Sequence, residues 1–482
     1  MQRTLERSPT DSPDLPSRPV SSLASQIKLR PALLFALSVA LGIALHYSLV
    51  FLVVLGGIAW WLKQTNPIIL FGIGGLIGLL IAPPIPSQGI EEQQFYQGEA
   101  DVISMPRVSP LGESCVIKTP RGRVALYYGS NSEIALGDRI LVTGVIKPLS
   151  EGTETYFLQK LIIGTMRTAY EPKIIESGPH LWHIAIAART SFLSFTSRAL
   201  GPEDTDIIDA LCFNVESGLS EQLRDDLSRS GTIHIISTSG LHVVIVATLM
   251  SFLLRWLPIP RWSQLVLLAC LLLIYAGAAG LRPPCIRAVL MSMLFSLAYI
   301  FKREPDGLSA LGTSAVPFLL LSPESIFDIG FQLSFVTIGA LCLFAGRENI
   351  GQQQIDLRVW SWLRLATIAS LVASMASAPL VAYHFGFVSL VSVLANLLLC
   401  ILIPVIVVLS LACWGLSAFS PTLSSSAMHW IAQPASSAVK AVVEYFGSQP
   451  WGSINVPPFS GWWLLPIYLM MVMVWRPSVR RA

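Results

Sequence analysis

The sequence predicts a polytopic α-helical membrane protein with about 10–12 spans and a small extracytoplasmic β-barrel inserted among them. Hydrophobic residues make up 53% of the 482 residues and charged residues only 13%, about half the charged share of a soluble protein. The apolar residues fall in long runs with basic residues at alternate ends, as membrane spans do. This composition excludes an ordinary cytosolic enzyme, a disordered regulator and a disulfide-stabilised secreted domain.

The N-terminal part begins with polar residues 1–30, which predict a disordered cytoplasmic tail. Three apolar runs follow within residues 31–84 and predict N-terminal transmembrane helices. Basic residues flanking membrane spans stay on the cytoplasmic side. We therefore expect the N-terminus in the cytoplasm and the end of the third run outside it.

Residues 85–178 differ from the runs on either side, since charged residues return and β-branched residues alternate between turn residues. Residues 115–119 and 123–128 flank a Pro-Arg-Gly turn and predict a hairpin. Residues 137–146 predict a further strand, with glycines where a small barrel bends. Short strands of this kind are typical of an OB-like or other small β-barrel, here on the outer side of the membrane.

Basic residues stand beside aromatic residues in this predicted barrel. OB-type barrels bind single-stranded nucleic acid with this combination, because cations contact the backbone and aromatic rings stack on the bases. The alternative is that the aromatic rings belong to the barrel core. The candidate binding residues are Lys118, Arg121, Arg123, Tyr127 and Tyr128.

Residues 179–476 predict the main transmembrane domain, and residues 477–482 predict a short cytoplasmic tail. Its first helix resembles an interfacial helix more than a span. Because the run 387–418 is long and contains Pro404, we expect two helices or a broken one there. The candidate spans are 233–256, 262–280, 285–301, 308–322, 326–345, 360–382, 387–418 and 459–475.

Two further features of this domain carry expectations. Pro379 predicts a helix break inside the sixth candidate span. The acidic stretch from Glu203 to Asp226 predicts a solvated face beside the membrane rather than a cation site.

Polar groups inside apolar runs are costly and therefore mark candidate functional positions. Around His234 and His242 the segment is rich in Gly and Ser, which permits an unwound stretch lining a cavity. The two histidines lie eight positions apart, too far to share a metal ion on a straight helix, so we predict no metal site. The alternative for each histidine is a packing contact between helices.

Arg287 lies a few residues inside an apolar run and must meet an anion, a carboxylate or water. Either it lines a pore and meets phosphate, or it pairs with Asp328 or Glu324. The other polar groups at membrane depth either line a cavity or make packing contacts, and Arg282 could simply extend to the membrane boundary. They are Arg282, Gln332, Ser334, His384 and Asn396.

Several of these segments, in this order, resemble the signatures of the ComEC/Rec2 competence proteins. The segment HIISTSGLHV at 234–243 is similar to the family's HLLAISGLHV. The segment GLRPPCIRAVLM at 280–291 is similar to the family's GxxPSxxRAxxM. The segment GFQLSF at 330–335, then Phe385 with its glycine and Asn396, follow in the family's order.

This resemblance implies an inner-membrane channel that passes one strand of incoming DNA into the cytoplasm during natural transformation. It implies a periplasmic DNA receptor and a cytosolic DNA translocase as partners, besides membrane lipid, and leaves a homo-oligomer open. The strand would follow the polar groups at membrane depth. The expected path residues are His234, Ser239, Gly240, His242, Arg282, Arg287, Gln332, Ser334, His384 and Asn396.

Two departures from the family pattern qualify this expectation. Many members carry a metallo-β-lactamase-like domain with an HxHxDH motif, which none of the seven histidines forms here. We therefore expect a channel that is not an enzyme, needs no cofactor and relies on a separate nuclease. Around Asn214 the family's glycine and basic residue are missing, so the family's role for that turn is not carried over to this chain.

Two rival hypotheses remain from the residues alone. The first is a polytopic permease for another polar or anionic solute, without DNA transport. The second is an intramembrane enzyme with a histidine as base, which lacks a nucleophile partner.

Overall fold

The structure, a computed structural model, describes most of the chain from residue 30 to residue 474. The polar tails, the second predicted apolar run and Ser239 lie outside the described residues. The described ranges are 30–47, 77–78, 80, 82, 89–109, 112–129, 133–150, 153–168, 170–236, 240–304, 306–347 and 359–474.

The predicted β-barrel is confirmed. Five strands close a circuit in the order β1, β3, β4, β6, β5 and back to β1, while β2 and β7 extend its edges. Strands β4 and β6 are parallel, and the other pairs in the circuit are antiparallel. The strands are β1 Gln94–Val102, β2 Arg107–Ser109, β3 Gly112–Thr119, β4 Gly122–Tyr128, β5 Arg139–Lys147, β6 Ile162–Thr168 and β7 Lys173–Glu176.

The predicted hairpin is strands β3 and β4, in which Thr119 faces Gly122 across a two-residue turn. Gly122 has a φ of +135°, which favours glycine because it has no Cβ. The inward side chains of the barrel alternate along the strands and form a closed apolar core. Fully buried members are Ile117, Val124, Leu126, Ile140 and Ile146.

A domain of helices follows the barrel, and α1 joins it from the N-terminal side. A short helix, α2 (Glu154–Gln159), lies within the barrel between β5 and β6. The remaining elements are α1 Pro31–Tyr47, α3 His180–Ala199, α4 Pro202–Phe213, α5 Glu221–Arg229, α6 Ile233–Ile236, α7 Gly240–Leu254, α8 Arg261–Ala278, α9 Pro283–Ile300, α10 Gly307–Leu321, α11 Ile329–Arg347, α12 Val359–Phe385, β8 Phe387–Ser389, α13 Ser392–Ser417, α14 Pro421–Ala427, α15 Gln433–Gly447, β9 Ser453–Asn455 and α16 Leu464–Val474.

Within the described residues, five helical segments are long and apolar enough to cross a membrane, as expected of a membrane protein. Shorter apolar helices accompany them at 32–41, 307–321, 329–344 and 461–471. The five longer segments are Ile233–Leu254, Arg261–Ala278, Pro283–Ile300, Leu363–Phe385 and Ser392–Ser417.

The expected breaks at the two prolines are wrong. Helix α13 runs unbroken through Pro404, and α12 runs unbroken through Pro379. A proline removes one backbone hydrogen bond, but a membrane helix tolerates this where neighbouring helices or local adjustments satisfy the freed carbonyl. Helix α13 packs against α7, α12, α14 and α15, and this packing favours a continuous helix.

The expectation of a solvated acidic stretch is wrong for Asp209 on α4. Its side chain is only 6% exposed, and the Thr196 hydroxyl of α3 donates a 2.8 Å hydrogen bond to its Oδ1. Burial raises the pKa of Asp209 to about 7. The residue is buried because α4 packs against α3, α13 and α15 rather than facing solvent.

The barrel is docked on the helical domain through buried contacts. Arg189 of α3 is 3% exposed and donates from Nη2 to Glu113 Oε1 of β3 at 3.1 Å. Its Nη1 also donates to the carbonyl of Pro106 at 2.8 Å. Met105 and Ala135, from the loops of the barrel, belong to the main apolar core of the helical domain. The barrel and the helices therefore share one interface.

Candidate functional site: a buried arginine and a docked barrel

Arg287 lies inside the helical domain on α9 with 3% of its surface exposed. Its Nη1 is 3.9 Å from Met291 Sδ, and its guanidinium carbon is 5.9 Å from the centre of the Phe335 ring. Its Nε has no hydrogen-bond partner in the described part of the chain. Among the described residues, the contacts that support this buried cation are a thioether and an aromatic face, an arrangement that favours binding of an anion.

Gly240, at the start of α7, allows the guanidinium to occupy this position. A Cβ on Gly240 would lie 2.7 Å from Arg287 Nη2, so any larger residue would displace the side chain. The sequence prediction named both residues, and the structure places them in contact. Ser239 precedes Gly240 in the chain but lies outside the described residues.

The alternative that Arg287 pairs with Asp328 or Glu324 is wrong. Glu324 Oε1 accepts from Arg123 Nη1 of the barrel at 2.7 Å. Asp328 Oδ2 is 2.7 Å from Lys160 Nζ, also on the barrel. Burial raises the pKa of Asp328, but the Lys160 ammonium and the Phe331 backbone N–H more than offset this and lower it below its usual value.

Helix α11 brings a second pair of predicted residues together. Gln332 Oε1 lies 3.0 Å from His384 Nε2 on α12. Since Gln332 and Phe335 are three positions apart on one helix, they share a face. The polar pair and the ring beside Arg287 therefore lie along the same side of α11.

The remaining predicted path residues are more dispersed. His242 is fully buried on α7, whereas His234 is exposed, with Nδ1 3.1 Å from the Gly231 carbonyl. Asn396 Oδ1 is buried and has no partner among the residues the structure describes. Ser334 is half-buried on α11.

Arg282 lies at the beginning of α9, next to the barrel, where its Nη2 donates to Glu216 Oε1 at 3.3 Å. The nearby turn departs from the family pattern, and here Asn214 adopts a left-handed φ of +61° at the end of α4. Asn tolerates this conformation better than most residues, so it can replace a glycine there. Arg224 donates to the Glu216 carbonyl and supports the same turn.

The barrel residues predicted to bind nucleic acid fall into different environments. Lys118 and Arg121 are exposed, and Arg121 lies 6.0 Å from the centre of the Tyr96 ring. Tyr127 is half-buried, and Arg123 is engaged by Glu324. Tyr128 is 3% exposed in the barrel core and cannot stack on a base, as the alternative interpretation of the aromatic residues predicted.

Sequence reasoning missed Lys160 as a candidate binding residue. Its ammonium lies 4.3 Å from the centre of the Tyr156 ring and donates a 2.7 Å hydrogen bond to the Tyr156 hydroxyl oxygen. Tyr156 itself is 43% exposed. Their four-residue spacing, with Tyr156 on α2 and Lys160 directly after its end, is the signal that would have indicated this pair. Within the described residues, no three His, Cys, Asp or Glu side chains converge as a metal site requires.

Comparison with known proteins assigns the family. The "Competence protein" family model matches residues 211–481. ComE operon protein 3 of Bacillus subtilis is 31% identical over 44% of this chain, and the match covers 26% of that protein. Competence protein ComA of Neisseria gonorrhoeae is 30% identical over 48% of this chain and 34% of its own length. An uncharacterised Escherichia coli protein, YcaI, is 24% identical over 61% of this chain and 40% of its own length.

These relatives extend well beyond the matched region, since the chain spans only 26% to 40% of the length of these three. A search of the solved structures finds no significant match. The family model covers more than half of the chain and includes the segments that resemble ComEC/Rec2. The chain therefore belongs to the competence protein family.

Proposed function

We propose that this protein is an inner-membrane channel that passes single-stranded DNA into the cytoplasm during natural transformation. Membership of the competence family and the names of its Bacillus and Neisseria relatives support a role in DNA uptake. The long apolar helices support a location in the membrane. In this proposal the chain is not an enzyme, both of its termini are cytoplasmic, and the shorter apolar helices also cross, so that about 10–12 spans result.

The observation that carries the proposal is Arg287. A DNA strand has a negative charge on every phosphate and cannot cross hydrocarbon without donors or positive charge. Arg287 supplies a buried cation beside the Phe335 ring, without a carboxylate within ion-pair distance in the described residues. Conduction requires a site that attracts phosphate strongly enough for entry and weakly enough for release, and one buried cation beside an aromatic ring suits this requirement.

The barrel supports the same function. We propose that it is of the OB type, since its closed strand order with the single parallel pair β4–β6 fits a five-stranded Greek-key barrel. OB barrels hold single strands on cationic and aromatic surfaces. The exposed Lys118 and Arg121 offer part of such a surface here.

The remaining partners follow from the channel function. A periplasmic DNA receptor would deliver the strand, and a cytosolic translocase would pull it. A separate nuclease would remove the complementary strand. Assembly as a homo-oligomer is compatible with the exposed apolar helix faces.

Transformation tests the proposal directly. We expect deletion of the gene to leave labelled donor DNA in the envelope but abolish transformants, and the wild-type gene to restore them. Arg287→Met keeps the length of the buried side chain but removes its charge, so transformation should fall at least tenfold. Arg287→Lys should retain part of the activity.

Arg198→Ala is the control for loss of an arginine, since Arg198 is exposed and its Nε donates to the Ser194 carbonyl of the same helix, α3. It should transform at the wild-type level. If Arg287→Met also transforms normally at normal membrane abundance, Arg287 does not line the path. If the deletion strain transforms normally, the DNA channel proposal fails and the permease hypothesis replaces it.

A further inference from the structure

Two carboxylates of the helical domain are inserted against the barrel. A 3-10 helix, Pro323–Phe327, carries Glu324, and Asp328 follows it immediately. Glu324 is 15% exposed and binds Arg123, while Asp328 is 21% exposed and binds Lys160, both at 2.7 Å. Both contacts are half-buried where the barrel meets the helices.

The two cations belong to one edge of the barrel. Arg123 on β4 is in register with Ile162 on the parallel strand β6, and Lys160 precedes Ile162 by two residues. The Tyr156 ring lies beneath the Lys160 ammonium and keeps an exposed surface. Two cations and an exposed ring on one barrel edge are the groups that hold a phosphate backbone and a stacked base.

The two carboxylates resemble phosphate groups in the way they interact with these cations. Both are anions whose oxygens accept charge-assisted hydrogen bonds from guanidinium and ammonium groups. We propose that Glu324 and Asp328 occupy the positions of strand phosphates, so that the strand-binding edge of the barrel is the edge docked on the helical domain. A single strand then enters by displacing the two carboxylates. This inference rests on the proposed function.

The surroundings favour entry at this point. Arg107 is exposed on β2 and forms no ion pair in the described part of the chain, yet it lies close enough to act on both Asp328 and Arg282. A Cβ on Gly280 would lie 3.9 Å from Arg107 Cγ, which places Arg107 at the entrance to α9. A strand leaving Arg123 and Lys160 would thus meet Arg107 and Arg282 before Arg287.

Binding of labelled oligothymidylate to the full chain in nanodiscs of zwitterionic lipid tests the inference. Glu324→Gln with Asp328→Asn keeps side-chain size while removing both competing charges. At low salt we expect this variant to bind at least threefold more tightly than the wild type. Adding Arg123→Gln and Lys160→Gln should abolish the gain and reduce the slope of log affinity against log salt by about 1.4, or about 0.7 per lost phosphate contact.

Glu91→Gln with Glu92→Gln is the control, because both residues are exposed beside the barrel and the pair changes the net charge equally. Its affinity should stay near that of the wild type. If the wild type binds but the interface variant shows no gain, or only the gain of this control, the carboxylate inference is overturned and the proposed function stands. If neither the wild type nor the interface variant binds at low salt, both fail.

Discussion

At the scale of single residues, the chain buries several charged groups for different purposes. Arg189 and Glu113 neutralise each other across the barrel interface. Asp209 shares its carboxylate with a hydroxyl, and Arg287 stands beside an aromatic ring. Because burial disfavours an isolated charge, each arrangement implies a different response to substitution.

Asp209 makes stability depend on pH. Its folded pKa, about 7, lies above the usual value of 3.8, so the folded protein retains a proton that the unfolded chain loses. Wild-type stability should therefore fall as pH rises from about 4 to about 7. Asp209→Asn cannot ionise, so its thermal midpoint in detergent should exceed that of the wild type by more at pH 8 than at pH 5.

Asp225→Asn, an exposed substitution on α5, controls for the loss of a charge. It should leave the pH dependence of the midpoint unchanged. Equal pH dependence of the Asp209→Asn variant and the wild type would show that Asp209 is ionised in the folded protein.

The pair of Arg189 and Glu113 predicts a large effect from losing one partner. Arg189→Met leaves Glu113 buried without its cation, which costs about 3–5 kcal/mol for a buried pair. Hydrogen exchange should show faster exchange in β3 and α3. Adding Glu113→Gln should recover part of the protection, whereas no recovery would point to lost packing rather than an unpaired charge.

At the scale of elements, close backbone approach determines how the N-terminal helix is held. Helix α1 packs along α10, and Arg30 at its beginning forms a two-point ion pair with Asp306, with both distances 2.7 Å. Asp306 also accepts from the Ser309 N–H and so caps α10. One carboxylate therefore joins two helices.

Gly312 on α10 lets these helices approach. A Cβ there would lie 2.4 Å from Leu33 Cα, which is backbone and cannot rotate away. Gly312→Ala should lower stability by about 1–3 kcal/mol through overpacking. Gly415→Ala on α13 is the control, since nothing lies within 4 Å of its Cβ, and it should be neutral or stabilising. Thermal unfolding of both purified variants would compare them, and equal midpoints would contradict this account.

At the scale of the whole molecule, ionised carboxylates join separate parts. The Arg30 guanidinium lowers the pKa of Asp306 to about 2, from 3.8. Because the pKa of Asp306 is lowered, the stabilisation that its ion pair with Arg30 provides is complete above about pH 4. It is lost as pH falls towards 2. The pKa of Asp328 is also lowered, so its contact with Lys160 of the barrel should likewise weaken as pH falls.

Hydrogen exchange across this pH range measures whether α1 separates from α10. Protection of α1 in the wild type should fall between about pH 4 and pH 2, ahead of the barrel core, whose strands are held together by their own closed circuit of backbone hydrogen bonds. Asp306→Asn should show weak protection of α1 already at pH 7. Protection of α1 that persists at pH 2 in the wild type would rule out this role of Asp306.

Features that are determined by residues close together in the chain are predictable from the sequence. Features that depend on distant residues are not. The hairpin of β3 and β4 follows from a local turn, and the span positions follow from local hydropathy. The pairing of Arg123 with Glu324 joins residues 201 positions apart, and no local pattern indicates it. Pro404 misled the prediction for the opposite reason, because helix packing overrode a local signal.

The candidate site divides in the same way. Arg287 and Gly240 stand out because a charge and a glycine interrupt apolar runs, and the structure brings them into contact. Lys160 interrupts no apolar run, so only its four-residue spacing from Tyr156 indicates it, and its partner Asp328 is known only from the structure. Tyr128 and Tyr127 alternate on one strand, so only the pleat, not composition, decides which of them is buried.

The order in which the chain is synthesised determines when the barrel interface can form. All five strands of the closed barrel have left the ribosome long before Glu324, which follows Arg123 by 201 residues. At about 5–20 residues per second, this interval lasts roughly 10–40 seconds. The barrel can complete its apolar core alone, while Arg123 and Lys160 remain uncovered. Anionic lipid headgroups can pair with these cations during this interval, so bilayer composition during biogenesis should influence how readily the barrel reaches its final position.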